Sequence, residues 1–262
     1  MGLLSKVNTL RKSVLIYRGI RYRRGFGVHS PFVYNLISKV IDERNPYYSF
    51  TDIEMTRLAY KFNEDVVSYE DRNSGNKRSA TMSYLLYKEA ISPKKGALLF
   101  RLANYFKSKN ILQIGGGMGI STLYLTSYSK NVNCVALEDT KEFVPIIKDV
   151  ICNGSDKKID VIYGEYKDTF QQALNELKEL DLVYFNIPAS KKFGYELFDT
   201  CVKNANDNTI IVINGIKANK DIRNHWDMIC EREDVKVTLD LYSTGIVVLN
   251  PKLHKKNYIV YF

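Results

Sequence analysis

Apolar residues in the second half of the chain form short solid blocks that alternate with longer stretches of helical periodicity. Five blocks predict buried strands, at 110–114, 132–137, 159–163, 181–186 and 209–213. The helical patterns between and after them lie at 119–128, 141–152, 166–179, 190–205 and 217–232. Solid blocks of Val, Ile and Leu are typical of parallel strands that are buried on both faces. The pattern therefore predicts five consecutive strand–helix units.

The C-terminal pattern departs from this alternation. Two apolar runs flank a Ser-Thr-Gly turn, at 235–241 and 246–249, and predict an antiparallel hairpin. Residues 258–262 are a candidate extension of the sheet. The predicted fold of residues 95–262 is α/β, a Rossmann-like doubly wound sheet of seven strands, mostly parallel with a C-terminal antiparallel hairpin.

Residues 1–94 are predicted to form a helical extension that caps this domain. Helical patterns recur at 30–41, 51–62, 80–91 and, at the start of the sheet domain, 96–107. Ser30 and Pro31 read as an N-cap followed by a first-turn proline. Thr51 and Glu54 have the spacing of a capping box. The polar segment 71–78 predicts a loop.

The positive charge of the chain is concentrated at its N-terminus. The formal net charge is +9, yet the first 40 residues contain eight Lys or Arg and no acid, so the remainder is nearly neutral. One helical stripe is formed by Leu3, Val7, Leu10, Val14 and Tyr17. A basic amphipathic helix in residues 1–24 could contact nucleic acid or an anionic membrane. We favour the alternative that the stripe packs on the body of the protein or on a second subunit, as in a homodimer.

The chain has no apolar run long enough to span a bilayer, and its cysteines follow no recognisable framework. A membrane helix needs about 18 consecutive apolar residues. The four cysteines are scattered singly, without metal spacing, at Cys134, Cys152, Cys201 and Cys230. This usage predicts free thiols and a cytoplasmic protein.

The most informative segment is 111–125, where a predicted strand runs directly into a glycine-rich turn and then into a helix. The turn contains Gly115, Gly116, Gly117 and Gly119. Bare backbone there allows a sharp bend and close approach of a ligand. Glu138 ends the next predicted strand, where an acid accepts hydrogen bonds from ribose hydroxyls. The spacing is neither the dinucleotide fingerprint nor a P-loop; the alternative is a turn that merely connects strand to helix.

These motifs resemble the class I S-adenosylmethionine-dependent methyltransferases, and most of all a bacterial branch related to small-molecule O-methyltransferases. Segments 27–37, 96–106 and 119–125 carry the same likeness. The resemblance implies S-adenosyl-L-methionine as cofactor, with its methionine end over the glycine turn and its ribose on Glu138. It places the adenine near Gly164 and Glu165. Further implied cofactor contacts are Ser121, Asp139 and Asn186.

The family pattern is broken at two strand ends. Relatives usually have Asp after the fourth strand and an Asp-Asp or Asp-Asn pair after the fifth, whereas this chain has Asn186 and Asn214. Mg²⁺ prefers carboxylate oxygens, so we predict no metal. Asn186 can orient a methyl acceptor but cannot remove its proton. We predict catalytic roles for Asn186, His29 and Lys217, and His225 is a further candidate; a purely structural role is the alternative for each.

Two functions fit this reading. The first is a metal-independent methyltransferase that acts on a small molecule at oxygen, with the N-terminal helices covering the substrate pocket. The second is a cofactor-binding protein whose site has lost its chemistry through Asn186 and Asn214 and which serves a regulatory or interaction role. We predict the first.

Overall fold

The computed structural model describes residues 13–22, 24–25, 27–70, 75–157, 159–186 and 195–262. Its N-terminal part consists of helices and one hairpin that precede the central sheet. These elements are α1 (13–21), α2 (Pro31–Leu36) with a π-helical turn (Ile37–Ile41), α3 (Tyr48–Lys61), β1 (Val66–Glu70), β2 (Lys77–Thr81), α4 (Met82–Glu89) and α5 (Pro93–Phe106). Ser30 caps α2 as predicted, because its hydroxyl accepts a hydrogen bond from the Val33 amide at 3.4 Å.

The central sheet has eight strands. They are β3 (Asn110–Ile114), β4 (Asn133–Glu138), β5 (Asp160–Tyr163), β6 (Leu182–Phe185), β7 (Ile210–Asn214), β8 (Val237–Asp240), β9 (Thr244–Val248) and β10 (Lys256–Ile259). Their spatial order is β10-β8-β9-β7-β6-β3-β4-β5. Every strand runs parallel to its neighbours except β9, which is antiparallel to both β7 and β8.

Helices cover both faces of the sheet, and each face has its own apolar core. The helices that follow β3 are α6 (Ile120–Thr126), preceded by a 3-10 turn at Gly117–Gly119, α7 (Phe143–Gly154), α8 (Tyr166–Leu177), α9 (Tyr195–Lys203) and α10 (Lys220–Glu231). One core contains buried side chains of α2 to α7 together with one face of the sheet. The other core contains those of α8 to α10 and the opposite face. The N-terminal helices therefore share a core with the sheet domain, and the expected boundary at residues 94 and 95 falls in the first turn of α5, where it stays a prediction.

The predicted doubly wound fold is confirmed, with two additions. The sheet has one strand more than the seven expected, because Lys256–Ile259 adds to β8 as a parallel edge strand. The hairpin of β1 and β2 was not predicted: residues 77 and 78, assigned to a polar loop, pair with Glu70 and Tyr69. A solvent-exposed strand of polar residues has no apolar alternation that would reveal it.

The capping box assigned to Thr51 and Glu54 is wrong. Helix α3 begins at Tyr48, so Thr51 lies inside the helix. The Glu54 carboxylate instead pairs with Arg57 at 2.9 Å and accepts a hydrogen bond from the Tyr124 hydroxyl at 2.8 Å. Glu54 thus joins α3 to α6 rather than capping its own helix.

The part of the apolar N-terminal stripe that the structure describes does not pack on the body of the protein. Val14 and Tyr17 are 38% and 58% exposed, while Leu3, Val7 and Leu10 lie outside the described residues. The helix is attached through Arg18 instead, whose guanidinium donates to both carboxylate oxygens of Asp240 at 3.0 Å. This basic residue therefore serves as a buried internal anchor.

No helix in the described part of the chain combines the length and apolar character that crossing a membrane requires. All four cysteines carry free thiols, as predicted, with Cys134 and Cys201 buried and Cys152 exposed.

Candidate active site

The glycine turn begins where β3 ends and is shaped by the neighbouring end of β6. The amide of Asn186 donates to the Ile114 carbonyl at 2.8 Å, which carries the β3–β6 pairing to the edge of the turn. Gly115 has φ +91°, and a Cβ there would lie 2.5 Å from the Asn186 carbonyl oxygen. Gly117 has φ +54°, and a Cβ there would lie 2.4 Å from Asn186 Nδ2. Only glycine tolerates both the backbone conformation and the contact.

Glu138, at the end of β4, faces this turn. Its Oε2 accepts a hydrogen bond from the Gly116 amide at 3.0 Å, and its Oε1 accepts one from the Thr140 amide at 2.9 Å. The residue is fully buried, so these charge-assisted bonds form away from water, where they are strong. The Glu138 carbonyl also accepts from the amide of Gly164, which follows β5. The ends of β3, β4 and β5 therefore lie together at Glu138, and its role in cofactor binding stays a prediction.

Gln113 stabilises the glycine turn through side-chain hydrogen bonds, a role that was not predicted from the sequence. Its amide nitrogen donates to the Gly115 carbonyl at 2.8 Å and to Ser121 Oγ at 3.0 Å. Its amide oxygen accepts from Thr122 Oγ1 at 3.0 Å. Gln113 is completely buried in the middle of β3. A single glutamine in an otherwise apolar strand was the available signal, because a buried amide must find partners nearby.

A chain of polar side chains runs along the ends of β6 and β7. The Tyr184 hydroxyl and Asn214 Nδ2 both donate to Asn186 Oδ1 at 3.1 Å. Lys95 Nζ, from the first turn of α5, donates to Asn214 Oδ1 at 2.7 Å. Tyr184 is buried, which raises the pKa of its phenol and keeps it uncharged. We name these four residues the amide network.

The amide network does not fit a divalent cation. Such an ion needs several anionic or carbonyl oxygens around it, whereas the two amide oxygens here already accept hydrogen bonds and the neighbouring ammonium would repel it. Within the described part of the chain, no group of three His, Cys, Asp or Glu is arranged to hold a metal ion. The donor set supports the prediction of metal independence, which stays a prediction.

Lys217 follows β7, as expected, but it is engaged in an ion cluster. Its Nζ lies 3.2 Å from Asp240 Oδ2 and 4.7 Å from the centre of the Tyr242 ring. Burial lowers the pKa of its ammonium, while the charge of Asp240 opposes that shift. Burial alone would raise the pKa of Asp240, but the Arg18 guanidinium, with help from Lys217, holds it below its usual value. Lys217 therefore contributes to anchoring α1.

The structure does not bring the two candidate histidines to the glycine turn. His29 is exposed in the turn before α2. Its neighbour Val28 lines a cavity with Tyr258 of β10, at the sheet edge far from β3 and β4. His225 lies on α10 and stacks on Tyr195 of α9, with ring centres 6.0 Å apart. A catalytic role for either histidine stays a prediction that this placement does not support.

The remaining sequence-predicted cofactor residues lie around the turn. Ser121 is buried in the first turn of α6, and its Oγ would be 2.9 Å from a Cβ at Gly117. Asp139 directly follows Glu138 and is half-buried. The arrangement can thus hold a sugar at the carboxylate, surround a ligand with main-chain amides and orient an oxygen at the amide network.

Known proteins share this fold. The structure is similar to that of an O-methyltransferase from Bacillus cereus in complex with SAH, at 20% identity and a TM-score of 0.55, over 83% of this chain and 97% of that chain. It is also similar to an SAH-bound methyltransferase from Podospora anserina, at 13% identity and a TM-score of 0.57, over 84% and 97% of the two chains. The O-methyltransferase TomG from Streptomyces achromogenes, in complex with SAM, gives 15% identity and a TM-score of 0.54, over 79% and 91%.

These identities show the fold alone, and a comparison with curated proteins gives no match. The sequence itself matches the family model described as O-methyltransferase over residues 64–234. That match spans more than half of the chain and includes the glycine turn, Glu138 and the amide network. The chain therefore belongs to the O-methyltransferase family.

Proposed function

We propose that this protein transfers the methyl group of S-adenosyl-L-methionine to an oxygen atom of a small molecule, without a metal ion. The observation that carries the proposal is the meeting of the Glu138 carboxylate with the Gly116 amide at the ends of adjacent parallel strands. Ligands of open α/β sheets bind at this edge. A carboxylate fixed beside bare backbone suits an adenosyl sugar, whose hydroxyls are donors and whose ring needs close approach.

In this proposal the cofactor lies across the glycine turn. Glu138 accepts hydrogen bonds from the ribose hydroxyls, since an ionised carboxylate offers about four lone-pair sites. Gly115, Gly116, Gly117 and Gly119 provide the surface against which the cofactor packs. Further contacts are assigned to Ser121, Asp139, Gly164 and Asn186. When bound, the cofactor supplies a methyl group activated by the positive charge of its sulfur.

The protein's part in the reaction is to position the acceptor oxygen in line with that methyl group. Placing two reactants in a near-attack geometry removes much of the entropic barrier of a bimolecular step. Asn186 lies against Gly117 and is held by Tyr184 and Asn214, so its amide is fixed rather than mobile. Asn186 and Asn214 orient the acceptor beside the amide network.

A transfer assay tests this function directly. The purified protein is incubated with S-adenosylmethionine labelled in its methyl group and with a panel of phenols, alcohols and carboxylic acids, with and without a chelator. We expect labelled product from at least one acceptor, unchanged by the chelator, and none from a Glu138→Ala variant. Cofactor binding without transfer to any acceptor, in the panel or in a cell lysate, would favour the regulatory alternative instead.

We further propose that a second copy of the chain covers the exposed side of α1. Four apolar side chains there are between 38% and 81% exposed: Val14, Ile16, Tyr17 and Ile20. Contact of residues 1–24 with nucleic acid or anionic membrane is not favoured, because Arg18 is engaged by Asp240. Light scattering should give a dimer that Ile16→Lys with Ile20→Lys converts to a monomer. A monomeric wild-type protein would contradict this proposal.

The cytoplasmic location of the protein stays a prediction.

A further inference from the structure

Lys95 brings a positive charge to the edge of the sheet where the acceptor oxygen is expected. Its Nζ lies 2.7 Å from Asn214 Oδ1, although the two residues are 119 positions apart in the sequence. Holding a lysine side chain in one orientation costs conformational entropy, because its rotatable bonds lose their freedom. A half-buried lysine directed at the end of a core strand is therefore a specific arrangement and differs from an ordinary solvated lysine.

The amide network fixes the direction of this charge. Asn214 donates its own amide N–H to Asn186, so its oxygen is turned toward Lys95. Asn186 is in turn held by the Tyr184 hydroxyl and packs against Gly117. The contacts thus run from the Lys95 ammonium through the side-chain amides of Asn214 and Asn186 to the glycine turn. The ammonium lies at one end of this chain and the proposed cofactor surface at the other.

A second observation indicates an oxygen-bearing ligand at the same place. Thr244 lies directly opposite Asn214 in the β7–β9 register, so their side chains are neighbours on one face of the sheet. Thr244 is 3% exposed, and its hydroxyl makes no hydrogen bond within the described residues. A buried hydroxyl without a partner is costly. An acceptor oxygen held between Thr244 and Lys95 would satisfy it.

Two ionisable groups of the described residues near these strand ends do not oppose this role. Asp240, at the end of β8, is paired with Arg18 and Lys217. Tyr184 stays uncharged because its burial raises the pKa of its phenol. The hydrogen bond to Asn214 directs the ammonium of Lys95 to this edge.

We infer that Lys95 is a catalytic residue that binds the acceptor oxygen in its ionised form, with Thr244 as a second donor. The inference rests on the proposed function. The acceptor hydroxyl loses its proton to water, and the ammonium stabilises the resulting oxyanion. The oxygen then forms its bond to the methyl carbon as the carbon–sulfur bond breaks, and the electron pair of that bond stays on the sulfur. Lys95 remains protonated throughout and provides the positive charge that a metal ion would otherwise supply.

A coloured phenol reports this charge without any turnover. The protein is saturated with S-adenosylhomocysteine, and 4-nitrophenol is titrated by its phenolate absorbance. An opposite charge within hydrogen-bond reach lowers a pKa by about 1–3 units, so we expect the pKa of the bound phenol to fall by at least about 1 unit in the wild-type protein. Lys95→Met should abolish the shift and Lys95→Arg should retain most of it.

Lys94 provides the matched control. It neighbours Lys95 on the same helix, but its Nζ lies 4.3 Å from the ring of Phe262, in a different cavity. Lys94→Met should leave the shift intact. An unshifted phenol in the wild-type protein, or an equal shift in Lys95→Met, would overturn the inference. Calorimetry with S-adenosylhomocysteine keeps the two claims apart: without cofactor binding the proposed function fails, whereas binding without a phenol shift refutes only the role of Lys95.

Discussion

The main-chain amide of Gly116 donates a hydrogen bond to the Glu138 carboxylate over 3.0 Å. The two residues come from consecutive strand ends, and their contact is completely buried. It fixes both the position of the carboxylate and the bend of the glycine turn. A ligand that contacts one of these residues therefore also lies against the other, which makes this pair the centre of the proposed cofactor site.

Gln113 is expected to control the shape of the turn. Gln113→Leu removes three buried hydrogen bonds. It leaves the Gly115 carbonyl and the hydroxyls of Ser121 and Thr122 without their glutamine partner. Unsatisfied buried groups cost about 1–3 kcal/mol each, so we expect the free energy of unfolding to fall by at least about 2 kcal/mol. Urea titration measures this. Gln172→Leu, on the exposed side of α8, is the control and should change it by less than about 0.5 kcal/mol.

Gly96 is expected to be essential where α5 packs on α6. Replacing a helical glycine with alanine normally stabilises a helix by about 1 kcal/mol. Here, however, the new Cβ would lie 2.4 Å from the Tyr124 ring, and overpacking costs about 1–3 kcal/mol. Gly96→Ala should therefore lower the melting temperature. Gly19→Ala in α1, where the nearest atom is 3.4 Å away, should not; equal effects of the two variants would contradict this packing.

The Arg18–Asp240 pair is expected to make the attachment of α1 sensitive to acid. The pKa of Asp240 is lowered in the folded protein, so the pair adds stability above the unfolded pKa of about 3.9 and loses it as the pH falls through the folded value. Arg18→Met should cost about 1–3 kcal/mol at pH 7, less than for a fully isolated charge because Lys217 still faces Asp240.

That difference between wild type and Arg18→Met should shrink as the pH is lowered through the folded pKa of Asp240. Arg21→Met, on the exposed side of the same helix, is the control and should be nearly neutral at both pH values. A loss that is the same at neutral and acid pH would show that the ion pair does not hold the helix.

Thr244 offers a test of the acceptor pocket that is independent of Lys95. Its hydroxyl is buried and has no hydrogen-bond partner within the described residues, so Thr244→Val should leave the free energy of unfolding unchanged or raise it. If the hydroxyl contacts the acceptor, the same variant should raise the KM for the acceptor by about tenfold. A stability loss above about 1 kcal/mol would instead reveal a structural role.

The strands of the sheet could be predicted because their sequences carry the physical cause of their burial. The block at 110–114 coincides with β3, since a strand covered on both faces is apolar along most of its length. The meeting of Glu138 with the glycine turn was predicted for a related reason. Carboxyl ends of neighbouring parallel strands lie at one edge, so two sequence positions define one place in space.

Other features depend on contacts that no local pattern records. The start of α3 at Tyr48 was missed because the Tyr47 ring packs on Phe100, 4.6 Å between ring centres, and this tertiary contact outweighs the capping-box spacing at Thr51. The Lys95–Asn214 hydrogen bond joins a helix start to a strand end, and nothing in the sequence distinguishes Lys95 from Lys94. Catalytic candidates chosen by residue type, such as His29, therefore lie elsewhere.

Calorimetric titration with S-adenosylhomocysteine tests the central claim most directly, with wild-type protein and a Glu138→Gln variant side by side. A hydrogen bond to a charged group is worth about 1.5–3 kcal/mol. The account predicts one binding site per chain in the wild type and an affinity about ten- to hundredfold lower in the variant, with both proteins equally folded by circular dichroism. Absence of binding at millimolar concentration, or equal affinity of the two proteins, would contradict it.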